Sequence, residues 1–256
     1  MGVTTQVRKE LSKLRRLHRA LMGLINKKAL TRFVLTSEAT NNFDASFKIS
    51  WSQGVEDLAI LGTIPKYNNP TYIDIGAHHP SRFSVTRQLY SRGWRGINIE
   101  ANQDLIKLFE GTRPEDVNIC AAVGEENEYI FYVLSEPGMS TINEKWRDYA
   151  IQSGLKVEKE VKVSGMSLRS VFDKHYKEHG PTLICIDIEG ADDNALKSLR
   201  METLESYRFP KWILLETFPP VKDALFTDSV KRAIQFGYEP FLVLPMSTLL
   251  KSPFPD

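Results

Sequence analysis

Four acidic residues, Asp74, Glu100, Asp187 and Glu216, fall at or near the carboxyl ends of strand-like apolar runs: Y-I-D-I, G-I-N-I-E, I-C-I-D and I-L-L-E. A charge at the end of a buried strand is uncommon unless it is paired or faces a ligand. Four such placements say more than one. Glu100 stands 26 residues after Asp74, where a carboxylate can accept hydrogen bonds from both hydroxyls of a ribose. Asp187 and Glu189, at i and i+2 of I-C-I-D-I-E-G, face the same way in extended chain. They can share a divalent cation, or one can act as general base toward an alcohol. The same two residues also fit a plain helix entry, Asp187 as its cap and Glu189 in its first turn.

The stretch Thr71–Pro80, T-Y-I-D-I-G-A-H-H-P, reads as a buried strand followed by a glycine turn. A helix over 81–92 is expected next. Ligands bind beyond the carboxyl ends of strands at such turns. His78 and His79 sit where a substrate would enter, and the neighbouring Arg82 can orient a substrate or pair with an acid. A dinucleotide loop would read G-x-G-x-x-G, its second glycine admitting a pyrophosphate. Here a histidine takes that place, which favours a nucleoside ligand without a pyrophosphate, S-adenosylmethionine over NAD.

The elements that must carry these residues alternate regularly. Strands are expected at 96–100, 117–123, 129–134, 157–163, 182–187, 211–217 and 238–244, and helices at 102–110, 167–178, 191–201 and 228–236. Such alternation predicts a mostly parallel sheet with helices on both faces. Before it, Ser50–Leu61 starts a helix that Ser52 or Gly54 can cap, with Glu56 and Asp57 suited to its positive end. Gln53, Glu56 and Asp57 gain a site role only if this helix covers the mouth of the opening strand.

Composition is that of a soluble globular chain, and no apolar run approaches the roughly 20 residues that span a bilayer. The N-terminal stretch lacks the apolar core of a secretory signal. Cys120 and Cys185 both lie in apolar runs, so buried, reduced thiols in the cytosol are expected. Residues 1–35 hold nine Lys/Arg and one acid, a net +8 against +1 for the whole chain, so the remainder carries −7. We divide the chain into a basic N-terminal helical arm, 1–50, and a catalytic domain, 51–256. In the arm, residues 5–30 read as an amphipathic helix through Leu11, Leu14, Leu17, Leu21, Leu24 and Ile25. It can pack on the body or on a second copy of the chain, or lie on an anionic membrane at the inner face. Nucleic-acid binding is disfavoured because no aromatic platform is interleaved with the charges.

At these residues the sequence resembles the FkbM-type S-adenosylmethionine-dependent methyltransferases, through 52–58, 72–84, 92–101, 184–190 and 213–216. The resemblance implies an α/β class I methyltransferase fold, Rossmann-like, and methylation of a hydroxyl on a sugar or polyketide. It implies that Asp74, Gly76 and Ala77 line the methionine end of the cofactor, that Glu100 binds the ribose, and that Ala122 and Val123 lie near the adenine. Asp187 would sit beside the transferring methyl, with Glu189 close behind. Two departures stand out. Val55 separates Gly54 from Glu56, and the chain ends soon after Leu244, so a final hairpin strand is expected to be short or missing.

The resulting expectation is O-methylation of a glycan or glycolipid precursor, as in polysaccharide biosynthesis. Asp187 is first choice as base or metal ligand and His79 second, with Mg²⁺ on Asp187 and Glu189. The insert 135–156 is expected to meet the acceptor through Ser140, Thr141 and Trp146, or to serve only as a lid. Two other classes compete: a nicotinamide-dependent oxidoreductase or epimerase, which needs a pyrophosphate loop, and a non-catalytic binding module on the same platform. Zinc peptidase, serine hydrolase and P-loop motifs are missing from the sequence.

Overall fold

In the computed structural model residues 49–217 and 227–254 are described. The basic arm and its expected helix lie outside them, apart from residues 49 and 50. Seven strands form the main sheet: β1 (Thr71–Ile75), β2 (Arg95–Glu100), β3 (Val117–Cys120), β7 (Leu183–Ile186), β8 (Trp212–Glu216), β9 (Glu239–Val243) and β10 (Ser247–Lys251). Their order is β3-β2-β1-β7-β8-β10-β9. The first five neighbours run parallel, and β10 runs antiparallel to both β8 and β9. The final hairpin strand is therefore present rather than missing, and it fills the gap between β8 and β9. S-T-L-L-K is short, but both of its edges are hydrogen-bonded.

Side chains alternate across each strand with period two, and the two sets meet different helices. Ile73, Ile75, Ile184, Ile186, Ile213 and Leu215 pack on α5 (Leu168–His175), α6 (Asp192–Ser198) and α7 (Asp228–Gln235). Tyr72, Leu183, Cys185, Trp212 and Leu214 pack with Ile60 of α1 (Glu56–Thr63) and Leu89 of α2 (Arg87–Ser91). Each such buried side chain stabilises the fold by about 1.5–3 kcal/mol. The sheet thus has helices on both faces, as the alternation predicts.

This register also places the acids. Ile75 pairs with Ile99 and with Ile186, and Ile186 pairs with Leu215. One residue further along, Gly76, Glu100, Asp187 and Glu216 stand level at the carboxyl edge. The chain winds from β1 outward to β3 and later returns to the other side of β1 as β7, so a crevice opens between β1 and β7. At that crevice the strands come very close. Gly76 adopts φ 77°, and a Cβ built on it would lie 1.8 Å from the Asp187 carbonyl oxygen.

Several expected elements differ. The helix over 81–92 is confined to Arg87–Ser91, because His78 (φ 50°) and Phe83 (φ 57°) hold the preceding segment in left-handed turns. The strand over 117–123 breaks after Cys120, and its last part becomes β4 (Ala122–Val123) in a second sheet. There β6 (Val157–Met166) pairs parallel with β4 and antiparallel with β5 (Glu128–Leu134). The expected strands over 129–134 and 157–163 therefore stand outside the main sheet. Helix α1 begins at Glu56, five residues after Trp51, with Val55 at φ 64° before it. Gly54 does not cap it. Ser52 accepts the Asp57 N–H at 3.3 Å and so serves one of its free donors. Cys185 is buried as expected, but Cys120 is exposed because its strand is the sheet edge.

Gly76→Ala should destabilise the protein by on the order of 3 kcal/mol or more, from the left-handed φ and the contact with Asp187. In thermal denaturation its midpoint should fall steeply, whereas that of Gly62→Ala, inside α1 with open space around it, should not fall.

Candidate active site

Two adjoining clefts open above the carboxyl edge, and both are lined by Gly76, His78, Gly138, Asp187 and Glu189. The first is lined by Glu100, Ala122, Val123 and Phe131. The second is walled by Gln53, Asp74, Ala77, Ser84, Glu216 and Ser247. The segment before α1 thus does cover the mouth of β1 and brings Gln53 to the site. Glu56 is buried behind it, accepting from Gly54 N–H at 2.8 Å and from the Ser247 hydroxyl at 3.4 Å. Asp57 is held by Ser50, Ser52 and Trp51 as the anchor of that segment.

The acids divide into two kinds. Glu100 and Asp74 are satisfied. Glu100 Oε2 accepts the His78 N–H at 2.8 Å, and its Oε1 accepts the Asn102 N–H at 2.7 Å. Each oxygen keeps a lone pair, so a fixed, two-pronged acceptor faces the first cleft. Burial raises the Glu100 carboxyl above its usual range, against these two donors. Asp74 is buried and accepts from the Thr86 hydroxyl. Thr86 in turn accepts from Arg113 Nη1 at 2.6 Å. Arg113, wholly buried at the end of α3 (Gln103–Thr112), also donates to Pro80 O and Ser84 Oγ at 2.7 Å each and to Asn98 Oδ1 at 3.3 Å. One guanidinium therefore shapes the whole turn after β1. Nothing in the sequence marked Arg113, since R-P-E-D resembles an exposed loop.

Asp187, Glu189 and Glu216 are the other kind. Each offers a carboxylate oxygen, all within 4.8 Å of one another. Asp187 is exposed at the cleft, yet desolvation by the protein around its carboxyl, together with Asp74, raises its pKa. Burial, then the charges of Asp187, Glu189 and Asp192, raises the Glu216 carboxyl further still. Glu189 is 8% exposed and likewise raised by burial, then by Asp187 and Asp192.

The insert at 135–156 grips the Asp187–Gly190 loop. Thr141 donates its hydroxyl to Glu189 O at 2.9 Å, and Asn143 Nδ2 donates to Gly190 O at 2.6 Å. Trp146, in α4 (Glu144–Gln152), packs against Gly190, 3.4 Å from where a Cβ would stand. Thr141 and Ser140 line the first cleft; the Thr141 hydroxyl also accepts the Asn143 N–H at 2.8 Å, whereas Ser140 Oγ accepts the Leu134 N–H at 3.1 Å and keeps its O–H to donate. Trp146 lines neither cleft.

The two histidines separate. His78 borders both clefts, its imidazole toward Gly138, and burial lowers its pKa. His79 borders neither. Its Nδ1 accepts the N–H groups of Ser81 and Arg82 at 3.0 Å, which makes it the brace of the turn. Arg82 pairs with Glu136 at 3.6 Å on the surface. The structure thus gathers Asp74, Gly76, Ala77, His78, Glu100, Ala122, Val123, Ser140, Thr141, Asp187 and Glu189 at the clefts, leaves His79, Arg82 and Trp146 off their walls, brings in Gln53 and Glu216 beside them, and adds Ser247.

Comparison with known proteins follows the same lines. The family described as methyltransferase FkbM domain matches residues 74–230. No curated protein matches the chain. Among solved structures, methyltransferase FkbM from Methylobacillus flagellatus KT aligns with 78% of this chain and 48% of its own, at 14% identity and TM-score 0.48. This chain therefore spans about half the length of that protein. A SAM-dependent O-methyltransferase from Thermotoga maritima aligns with 82% of this chain and 69% of its own, at 9% identity and TM-score 0.41. An O-methyltransferase from Bacillus cereus, in complex with SAH, aligns with 90% and 93%, at 11% identity and TM-score 0.38.

Because the folded protein holds the Glu189 proton more tightly than the unfolded chain does, stability falls as pH rises above the ordinary carboxylate range. Glu189→Gln removes the group that ionises. In EDTA it should match wild type near pH 4.5 and exceed it at pH 8 by on the order of 2 kcal/mol, a rise of a few degrees in thermal midpoint.

Proposed function

Because the chain belongs to the FkbM methyltransferase family, we propose that it transfers a methyl group from S-adenosylmethionine to a hydroxyl of a sugar in a glycan or glycolipid precursor. The observation that carries the donor half is the first cleft. Glu100 presents two oriented acceptor oxygens for ribose hydroxyls, and Ala122, Val123 and Phe131 offer an apolar wall for a purine. Gly76 lets the backbone approach the ligand, and Asp74 and Ala77 border the adjoining cleft.

When bound, S-adenosylmethionine supplies an electrophilic methyl group on a sulfonium. The protein must then align an oxygen and remove its proton. Asp187 stands where the two clefts join and is the residue we assign to that task. Its raised pKa brings it nearer the proton it must accept. His78, which lines both clefts and whose pKa burial lowers, is assigned to the acceptor rather than the donor. The second cleft suits a polyhydroxylated acceptor, since Gln53, Ser84, Ser247 and His78 contribute hydrogen-bonding groups to its walls.

Calorimetry with S-adenosylhomocysteine tests the donor half: Glu100→Ala should bind at least about tenfold more weakly, the loss of a charged hydrogen-bond acceptor. Undiminished affinity would contradict the assignment. Asp187→Asn should retain that affinity and lower kcat by about 10²–10⁴. In wild type the rate should rise with pH as Asp187 ionises, with a midpoint above the usual carboxylate range.

A further inference from the structure

Asp187, Glu189 and Glu216 come from the end of β7, the loop behind it and the end of β8, and they converge on the second cleft. The charges acting on them are acidic as well: Asp74 and Glu56 on Asp187, and Asp192 on Glu189 and Glu216. Among the described residues, none of the three forms an ion pair with Lys or Arg. Glu189 supplies a separate observation. It is 8% exposed, it faces Asp187, and its Oε2 completes no hydrogen bond, the neighbouring Trp146 indole N–H standing beside the carboxylate without closing one. Thr141 holds its carbonyl and Asn143 that of Gly190, so the backbone keeps the carboxylate at the cleft.

A buried carboxylate oxygen without a donor is costly, and a cation answers that need. The donor set is oxygen alone, without His or Cys, which selects a hard ion over zinc or copper. Oxygens bound to one ion stand at most about 4.2 Å apart for Mg²⁺ and about 5.2 Å for Ca²⁺. The observed limit of 4.8 Å falls between these.

We propose that Asp187, Glu189 and Glu216 hold one hard divalent cation at the floor of the acceptor cleft. Three protein oxygens leave coordination positions for water and for an acceptor hydroxyl. A hydroxyl bound there is polarised and more readily deprotonated. Asp187 gives one oxygen to the ion and keeps the other to receive the proton, while the methyl moves from sulfur to the acceptor oxygen and S-adenosylhomocysteine leaves. This use of the ion rests on the methyl-transfer reading; its binding does not.

The full chain, stripped with EDTA, is titrated with Mn²⁺ and followed by electron paramagnetic resonance and calorimetry, with Mg²⁺ and Ca²⁺ as competitors. One Mn²⁺ per chain is expected, displaced by the competitors. Affinity should drop about tenfold or more in Glu189→Gln and in the Asp187→Asn, Glu216→Gln double variant. S-adenosylhomocysteine binding checks that each variant is folded, and Glu189→Gln, expected to gain stability, keeps the test open if the double variant does not fold. Absence of saturable Mn²⁺ binding, or equal affinity in Glu189→Gln, overturns the site. S-adenosylhomocysteine binding by wild type in EDTA separates the two readings. Loss of that binding with Mn²⁺ still bound sinks methyl transfer alone, and the reverse sinks the ion alone.

Discussion

Everything at this site depends on how closely β7 approaches β1 at their carboxyl ends. The Asp187 N–H donates to Ile75 O at 3.1 Å, and the Gly76 N–H donates to Ile99 O at 2.9 Å. Residue 76 is thereby pinned between two neighbours with no room for a side chain. That absence opens the crevice and sets Glu100, Asp187 and Glu216 level around it. Shift any strand by one residue and its acid turns to the opposite face, into the apolar layer of α5, α6 and α7. Register and function are coupled here through the period of the strand.

Burying so many carboxylates is unfavourable, and the fold offsets it unevenly. Asp74 and Glu100 receive donors from the chain itself: a hydroxyl steered by Arg113 in one case, two backbone N–H groups in the other. They are oriented by these donors while the Glu100 oxygens keep lone pairs toward the cleft, which suits residues that shape a pocket and bind in it. Asp187, Glu189 and Glu216 receive far less. Their electrostatic tension is concentrated where a proton or a cation would act, the pattern expected of groups kept for chemistry rather than for stability.

The second sheet and the insert act on this centre from outside it. The break after Cys120 lets β4 leave the main sheet and pair with β6, which carries Ala122 and Val123 to the wall of the first cleft. Between β5 and β6, the turn at Pro137–Met139 and helix α4 fold back over the β7 loop. Thr141, Asn143 and Trp146 thus bear on the site by holding Glu189 and Gly190 in place. Ser140 and Thr141 border the cleft, Thr141 with its hydroxyl bound to the β7 loop and Ser140 with an O–H that can still donate.

The sequence by itself determined the alternating architecture, the glycine at the turn and the acids at four strand ends. These depend on period-two patterning and on local backbone demands, which any reader of the chain can count. It did not reveal that His79 braces its own turn, that Arg113 organises that turn from a distance, or that S-T-L-L-K slides between β8 and β9. Nor did it show that Glu216 joins Asp187 and Glu189, because β7 and β8 are separated by a helix and a long connection. Those facts depend on which strands lie side by side and on which polar atoms find partners once water is excluded. Only tertiary structure decides that, since a buried donor or acceptor is satisfied by whatever the packing brings within about 3 Å of it.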